Sequence, residues 1–201
     1  MKLVFASNNA HKLEEVRGIM PAGIEVLSLH EIGFEAEIDE TGETLEENSL
    51  IKASAVAAFI NDGMSASLND GMMIDGVFAD DTGLEIEALG GKPGVYSARW
   101  AGEAASNRKK ALAELAGKEN RKAQFRTVIT LIKDDKTIQV EGVVRGRIAE
   151  EEYGQGGFGY DPIFIPEGYD KTFGELPAEV KNSISHRARA LQALVKILGD
   201  R

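Results

Sequence analysis

The sequence predicts an α/β fold built on a mixed sheet, and three observations carry that expectation. An apolar strand-like run (Leu3 to Ala6) passes straight into a helix-like segment, so the chain opens as a βα unit. Two longer strand-like runs, AQFRTVITLIK and TIQVEGVVRGRI, flank the turn residues Asp134-Asp135-Lys136 and read as an antiparallel hairpin. A chain of 201 residues suits one domain, or one domain with two lobes, spanning residues 1–201. Mixing βα units with a hairpin calls for strands of both senses in one sheet.

The first helix runs from about His11 to Met20, and IEVLSL follows as a short strand. After the acidic stretch EAEIDETGETLEEN, Thr44 and Glu47 fit a capping box that opens an Ala-rich helix to about Phe59. Asn61 to Gly76 is rich in turn formers, lacks both structural periods, and is expected to be a surface excursion. In VFADDTGLEIEALGG an apolar run reaches Asp80 and Asp81, is expected to turn at Thr82-Gly83, and resumes as an alternating strand through Leu84, Ile86 and Ala88. A GGKPG loop leads to VYSARWAG and then to a helix over about Ala104 to Ala116. Beyond the hairpin come the loop GQGGFGYDP, a short strand IFIP and a last helix that begins near SISHRARALQALVKIL.

Composition narrows the function. A formal net charge of −10 argues against a nucleic acid polymer as partner, because such affinity comes mainly from Lys and Arg neutralising phosphates. A small anion needs only a few local cations, with a divalent metal supplying the rest. No cysteine is present, which removes disulfides and thiolate metal sites. Runs of about 18 apolar residues are missing, so no membrane partner is expected. The chain enters a strand without a basic segment and apolar h-region, and a cytoplasmic location is the expectation.

Three stretches ask for an anion. In SNNAHK, His11 and Lys12 fall in the first turn of a helix, where a cation is disfavoured by about 0.3–1 kcal/mol. The glycines of GxxxxGKS and GxGxxG are missing, yet a helix N-terminus still suits phosphate, although a capped helix with solvated cations fits the same residues. SISHRARA repeats the pattern: Ser183 or Ser185 caps the last helix, His186 and Arg187 occupy its first turn, and Lys181 lies just upstream. On that view Arg187 strains the empty protein, and its replacement should leave free stability unchanged or slightly higher. In GGFGYDP closely spaced glycines admit a ligand to the backbone, and Phe158 or Tyr160 could stack on a planar base.

A fourth stretch, FADDTG, asks for a metal, since paired carboxylates can hold Mg²⁺ while phosphates and water complete its octahedron. Asp39 and Glu40 could approach the same ion, although such pairs are also ordinary turn residues. With three histidines, no cysteine and no GxSxG elbow, metal-assisted hydrolysis of a phosphoanhydride is what the remaining groups suit.

Taken in order, SNNAHK, ETGETLEENSLIKA, FADDTGLEIEALGGKPGVYSARWAG, GGFGYDPIF and KNSISHRARA resemble the inosine triphosphate pyrophosphatase family over nearly the whole chain. The resemblance implies a long mixed central sheet with flanking helices, two lobes with an active-site cleft between them, and a homodimer. It also implies Mg²⁺-dependent cleavage of ITP, dITP or XTP to the monophosphate and pyrophosphate, an activity that cleanses the nucleotide pool. Carried over by position, Ser7, Asn8, Asn9, Ala10, His11 and Lys12 form the N-terminal substrate loop, with Lys12 as its phosphate contact. Asp81 falls on the general base and metal ligand, followed by substrate-contacting Thr82, and Glu40 or Asp39 on the second metal carboxylate. Phe158, Gly159, Tyr160 and Asp161 match the base-side loop, and Lys181, His186 and Arg187 the C-terminal substrate residues. Asn8 replaces a glycine common in the family, and the Asn61 to Gly76 excursion is longer than usual. Alternatives are a pyrophosphatase for other nucleotides and a nucleotide sensor that does not hydrolyse; the intact Asp80-Asp81 pair favours an enzyme.

Overall fold

The computed structural model describes residues 1–63 and 73–199. Strand β1 (Lys2–Phe5), helix α1 (Ala10–Ile19), strand β2 (Glu25–Leu27) and helix α2 (Leu45–Asn61) open the chain. They are followed by β3 (Gly76–Ile86), β4 (Pro93–Gly94), α3 (Ala104–Glu114), β5 (Lys122–Lys133) and β6 (Lys136–Ile148). Strand β7 (Phe164–Pro166) and helices α4 (Ala178–Ile184) and α5 (His186–Gly199) complete it. One sheet takes the order β2-β1-β3-β5-β6-β7, with β4 on β3. β1 pairs in parallel with β2 and β3, whereas β4 on β3 and β7 on β6 are antiparallel, so the sheet is mixed as expected.

Two compact units share these strands. The first comprises Met1–Asp81, Val128–Glu141 and Ala190–Arg201, and the second Thr82–Thr127 and Gly142–Arg189. In the first unit β1 is apolar at consecutive positions because both its faces are covered. Leu3 and Phe5 pack with Val16, Phe78, Leu191 and Leu194, while Val4 and Ala6 pack with Leu27, Ile32, Val56 and Val77. The second unit has its own core of Leu84, Ile86, Leu115, Phe125, Tyr160, Ile163, Phe164 and Phe173.

Local signals held where they were strong. Thr44 Oγ1 accepts from the Glu47 amide and Glu47 returns to the Thr44 amide, completing the capping box. Asp134 and Asp135 turn the β5–β6 hairpin with φ of 51° and 58°, the pair of positive values that a two-residue turn matched to strand twist requires.

Other expectations are corrected. β3 does not turn at Thr82-Gly83 but runs unbroken through both. Gly83 serves close approach instead, since a β-carbon there would lie 2.8 Å from the Gly94 carbonyl oxygen on β4. The alternation stops at Ile86, and Ala88 belongs to a 3₁₀ turn. Helix α3 ends at Glu114, and α4, not foreseen, carries Lys181. The surface excursion expected over Asn61 to Gly76 falls mostly on residues 64–72, outside the described residues. Among the described residues no helix is long and apolar enough to cross a membrane.

Candidate active site

The first unit gathers a cluster of carboxylates and lysines around the middle of β3. Asp80 and Asp81 are consecutive strand residues, so their side chains leave on opposite faces. Asp80 is buried and takes Lys12 Nζ at 2.8 Å on Oδ1. The Lys12 charge at the start of α1 is thus met by a carboxylate of the protein itself. Asn9 caps α1 by accepting from the Lys12 amide, and Ser7 Oγ accepts from the Asn9 amide, so the loop folds on its own polar groups. Asn8, Asn9, Ala10 and His11 are exposed beside it.

Asp81 meets helix α2. Asn48 Nδ2 donates to Asp81 Oδ2 at 3.2 Å, and Lys52 Nζ lies 3.5 Å from Asp81 Oδ1. Asn48 is aimed by its other end, since Oδ1 accepts the Gly42 amide at 2.8 Å. Only glycine fits at 42, where a β-carbon would come 2.7 Å from that oxygen. Lys52 also donates to Glu40 Oε1 at 2.7 Å, so one ammonium joins Glu40 to Asp81. Glu40 rather than Asp39 is therefore connected to the cluster; Asp39 is exposed, and its carbonyl accepts from the Thr41 amide.

Burial lifts the Asp81 carboxyl above the usual carboxylate range, against the pull of Lys52 and Lys12, and the neighbouring Glu40 and Asp80 add to the rise. Burial works to discharge Lys52, but Asp81, Asp80 and Glu40 together hold its ammonium above the ordinary lysine value. A charged lysine is thus kept beside a carboxylate that is a stronger base than a solvated one.

The second unit gathers aromatic rings and cations. Phe158 is half-buried, with Lys181 Nζ 4.7 Å and the Arg187 guanidinium carbon 5.6 Å from its ring centre. Lys181 and Asp161 form a buried ion pair at 2.6 Å, and Asp161 Oδ2 also accepts the Phe158 amide at 2.7 Å. Arg187 Nη2 reaches Thr82 Oγ1 at 3.4 Å, and Thr82 shares a hydroxyl contact of 2.8 Å with Thr127.

Several of the expected substrate residues are tied into the protein's own packing. Tyr160 lies in the core with its hydroxyl donating to the Ser97 carbonyl at 2.9 Å, whereas Phe158 is only half-buried. Burial raises the Tyr160 phenol far above its usual range, in keeping with a structural neutral hydroxyl. His186 is buried and stacks on Phe125 at 4.6 Å. Ser185 is the cap of α5, accepting the Ala188 amide, while Ser183 sits within α4 and donates to the Val180 carbonyl. Arg187 is 1% exposed, so it is not a surface cation; it is packed against Thr82 and Phe158, and its loss is now expected to cost stability in the free protein.

Asn48 and Lys52 were missed from the sequence. They lie one helical turn apart on the α2 stripe that also buries Leu45, Ala53 and Val56, and polar residues on such a stripe are the signal that could have exposed them. Arg108, which holds the loop after Phe158, carried no such signal.

Residues 3–197 match the Ham1 family. The dITP/XTP pyrophosphatase of Bacillus subtilis is 49% identical over 202 residues, covering 97% of this chain and 96% of its own. That of Flavobacterium johnsoniae is 47% identical over 201 residues, covering 98% of both chains. The structure of the Staphylococcus aureus Ham1 protein superposes with a TM-score of 0.83 at 39% identity, covering 100% of both chains. With the match running almost from end to end, the chain belongs to the Ham1 family.

Proposed function

We propose that the protein is a nucleoside triphosphate pyrophosphatase that hydrolyses nonstandard purine nucleotides (ITP, dITP and XTP) to the monophosphate and pyrophosphate. The observation that carries the reading is the buried Asp81 carboxylate, held by Asn48 and Lys52 beside the Lys12–Asp80 pair. The names of the relatives supply the substrate class.

The cluster fits Mg²⁺. Among the described residues no three carboxylate or imidazole groups stand ready to cage an ion. A caged ion is not needed, because Mg²⁺ is ordinarily held by one or two carboxylates together with substrate phosphates. Asp81 and Glu40 would hold it, and when bound it would neutralise phosphate charge and stabilise the departing pyrophosphate. Asp81 accepts the proton of the attacking water, and the rise that burial gives its basicity favours that task. Lys52, kept charged, holds Asp81 and Glu40 in place. Lys12 is the phosphate contact, exchanging part of its Asp80 interaction for substrate oxygens.

Phe158 supplies the stacking face for the purine, and the Lys181 ammonium and Arg187 guanidinium beside its ring are donors suited to a 6-oxo group. Adenine presents an amino donor at that position and would leave a buried donor unpaired, which is the strong form of rejection. A homodimer, a cytoplasmic location and Mg²⁺ dependence are part of the same proposal. Initial rates of pyrophosphate release from ITP, XTP, GTP and ATP with Mg²⁺ test it. A kcat/KM for ITP well above that for ATP is expected; equal values would overturn the base assignment, and no release from any of them the hydrolytic one.

A further inference from the structure

Phe158 stands next to Gly159, whose φ is +61° and where an added β-carbon would meet nothing within 4 Å. A glycine in open space restrains the chain little, so the orientation of the neighbouring ring has to be set by contacts to the flanking peptides. On one side the Phe158 amide donates to Asp161 Oδ2 at 2.7 Å, and that oxygen is in turn held by Lys181. On the other side Arg108, projecting from α3, donates from Nη1 to the Gly159 carbonyl at 2.9 Å. Arg108 Nε lies 3.0 Å from Glu152 Oε2, an ion-pair contact rather than a hydrogen bond, since that nitrogen has no hydrogen-bond partner, and it draws the guanidinium from a second direction.

We propose that Arg108 is a specificity-determining positioning residue: by bridging Glu152 to the Gly159 carbonyl it locks the peptide that follows Phe158 and so fixes the ring on which the purine stacks. The inference rests on the reading of Phe158 as the base contact. Arg108 touches no reacting group, so its loss should weaken recognition of the base while leaving the phosphate chemistry alone. Neither a role in catalysis nor a purely structural role makes that split.

The test compares wild type, Arg108→Gln, Arg108→Lys and Glu152→Gln by calorimetric titration with IMP and, separately, with pyrophosphate, and by kcat and KM for ITP and ATP. For Arg108→Gln the expected result is about a tenfold weaker Kd for IMP and higher KM for ITP, a lower ITP-to-ATP preference, and pyrophosphate affinity and ITP kcat within about twofold of wild type. Arg108→Lys, able to donate to Gly159 but not to bridge, should recover part of the loss. Glu152→Gln keeps the Gly159 hydrogen bond and should shift IMP affinity the same way by less, and it carries the test alone if the Arg108 variants do not fold. Unchanged IMP affinity and preference, or equal weakening of both ligands, would overturn the proposal while leaving the function standing. Failure of wild type to release pyrophosphate from ITP would overturn both.

Discussion

The charged clusters of the two units are built from opposite charge balances. In the first unit Glu40, Asp80 and Asp81 set three carboxylates against the two ammonium groups of Lys12 and Lys52. In the second, Asp161 is the carboxylate paired with Lys181, and Lys181 and Arg187 are two cations beside the Phe158 ring. A negative excess suits a divalent cation and a base for water; a positive excess beside an aromatic ring suits the carbonyl oxygens of an oxopurine. On the proposed function the first cluster would serve cleavage and the second the choice of base. Changes in the first cluster should lower kcat for every nucleotide alike, and changes in the second should alter which nucleotide is preferred.

Asp81→Asn should break the comparison most forcefully. It preserves size and the Asn48 contact but removes the proton acceptor, and a fall in kcat of about 10²–10⁴ is expected with residual base preference retained. Steady-state rates on ITP and ATP measure both, and a selective loss on one nucleotide would refute the division.

Lys181→Met removes one partner of a buried pair and leaves the Asp161 charge without it. A stability loss of about 3–5 kcal/mol is expected, which thermal unfolding would read at roughly 2–4 °C per kcal/mol. Arg187→Gln should also destabilise the free protein by about 1–3 kcal/mol, through lost packing on Phe158 and the Thr82 contact, and so lower its Tm.

The pH profile sharpens the first cluster. Because burial raises the folded-state pKa of Asp81, the acid limb of kcat/KM should lie above the range of a solvated aspartate. Its linkage to stability has a definite sign. The folded state holds the proton more tightly, so Asp81 contributes most at low pH, and that contribution is lost as pH rises from the unfolded to the folded pKa. Lys52 is raised as well, so its contribution persists through neutrality and is lost only at alkaline pH, above the ordinary lysine value. Chemical denaturation across pH should show both windows in wild type, with the acid-side one missing in Asp81→Asn.

The smallest effect should come from Glu47→Gln, close in sequence to both Glu40 and Asn48. Its carboxylate receives the Glu43 and Thr44 amides, and glutamine can replace it there. A stability change within about 0.5 kcal/mol and near-normal kcat are expected by thermal unfolding and initial rates. A large loss of kcat would move Glu47 into the catalytic cluster.

The chain by itself determined whatever depends on near neighbours. The capping box at Thr44 and Glu47, the Asp134-Asp135 hairpin, the opening βα order and the ordered stretches bearing Lys12, Asp81, Phe158, Lys181 and Arg187 are all written in consecutive residues, because caps, turns and periodicity act over a few positions. Only the tertiary structure decided which long-range faces meet. It put Asn48 and Lys52 against Asp81, 33 and 29 positions away, made Gly83 a packing contact for β4 rather than a turn, and placed Tyr160 and His186 in the core. It also turned Arg187 from a surface cation into one of the most deeply buried side chains. Spacing states which residues share a face of an element, but burial and pairing depend on the element packed opposite, and that partner lies far along the chain.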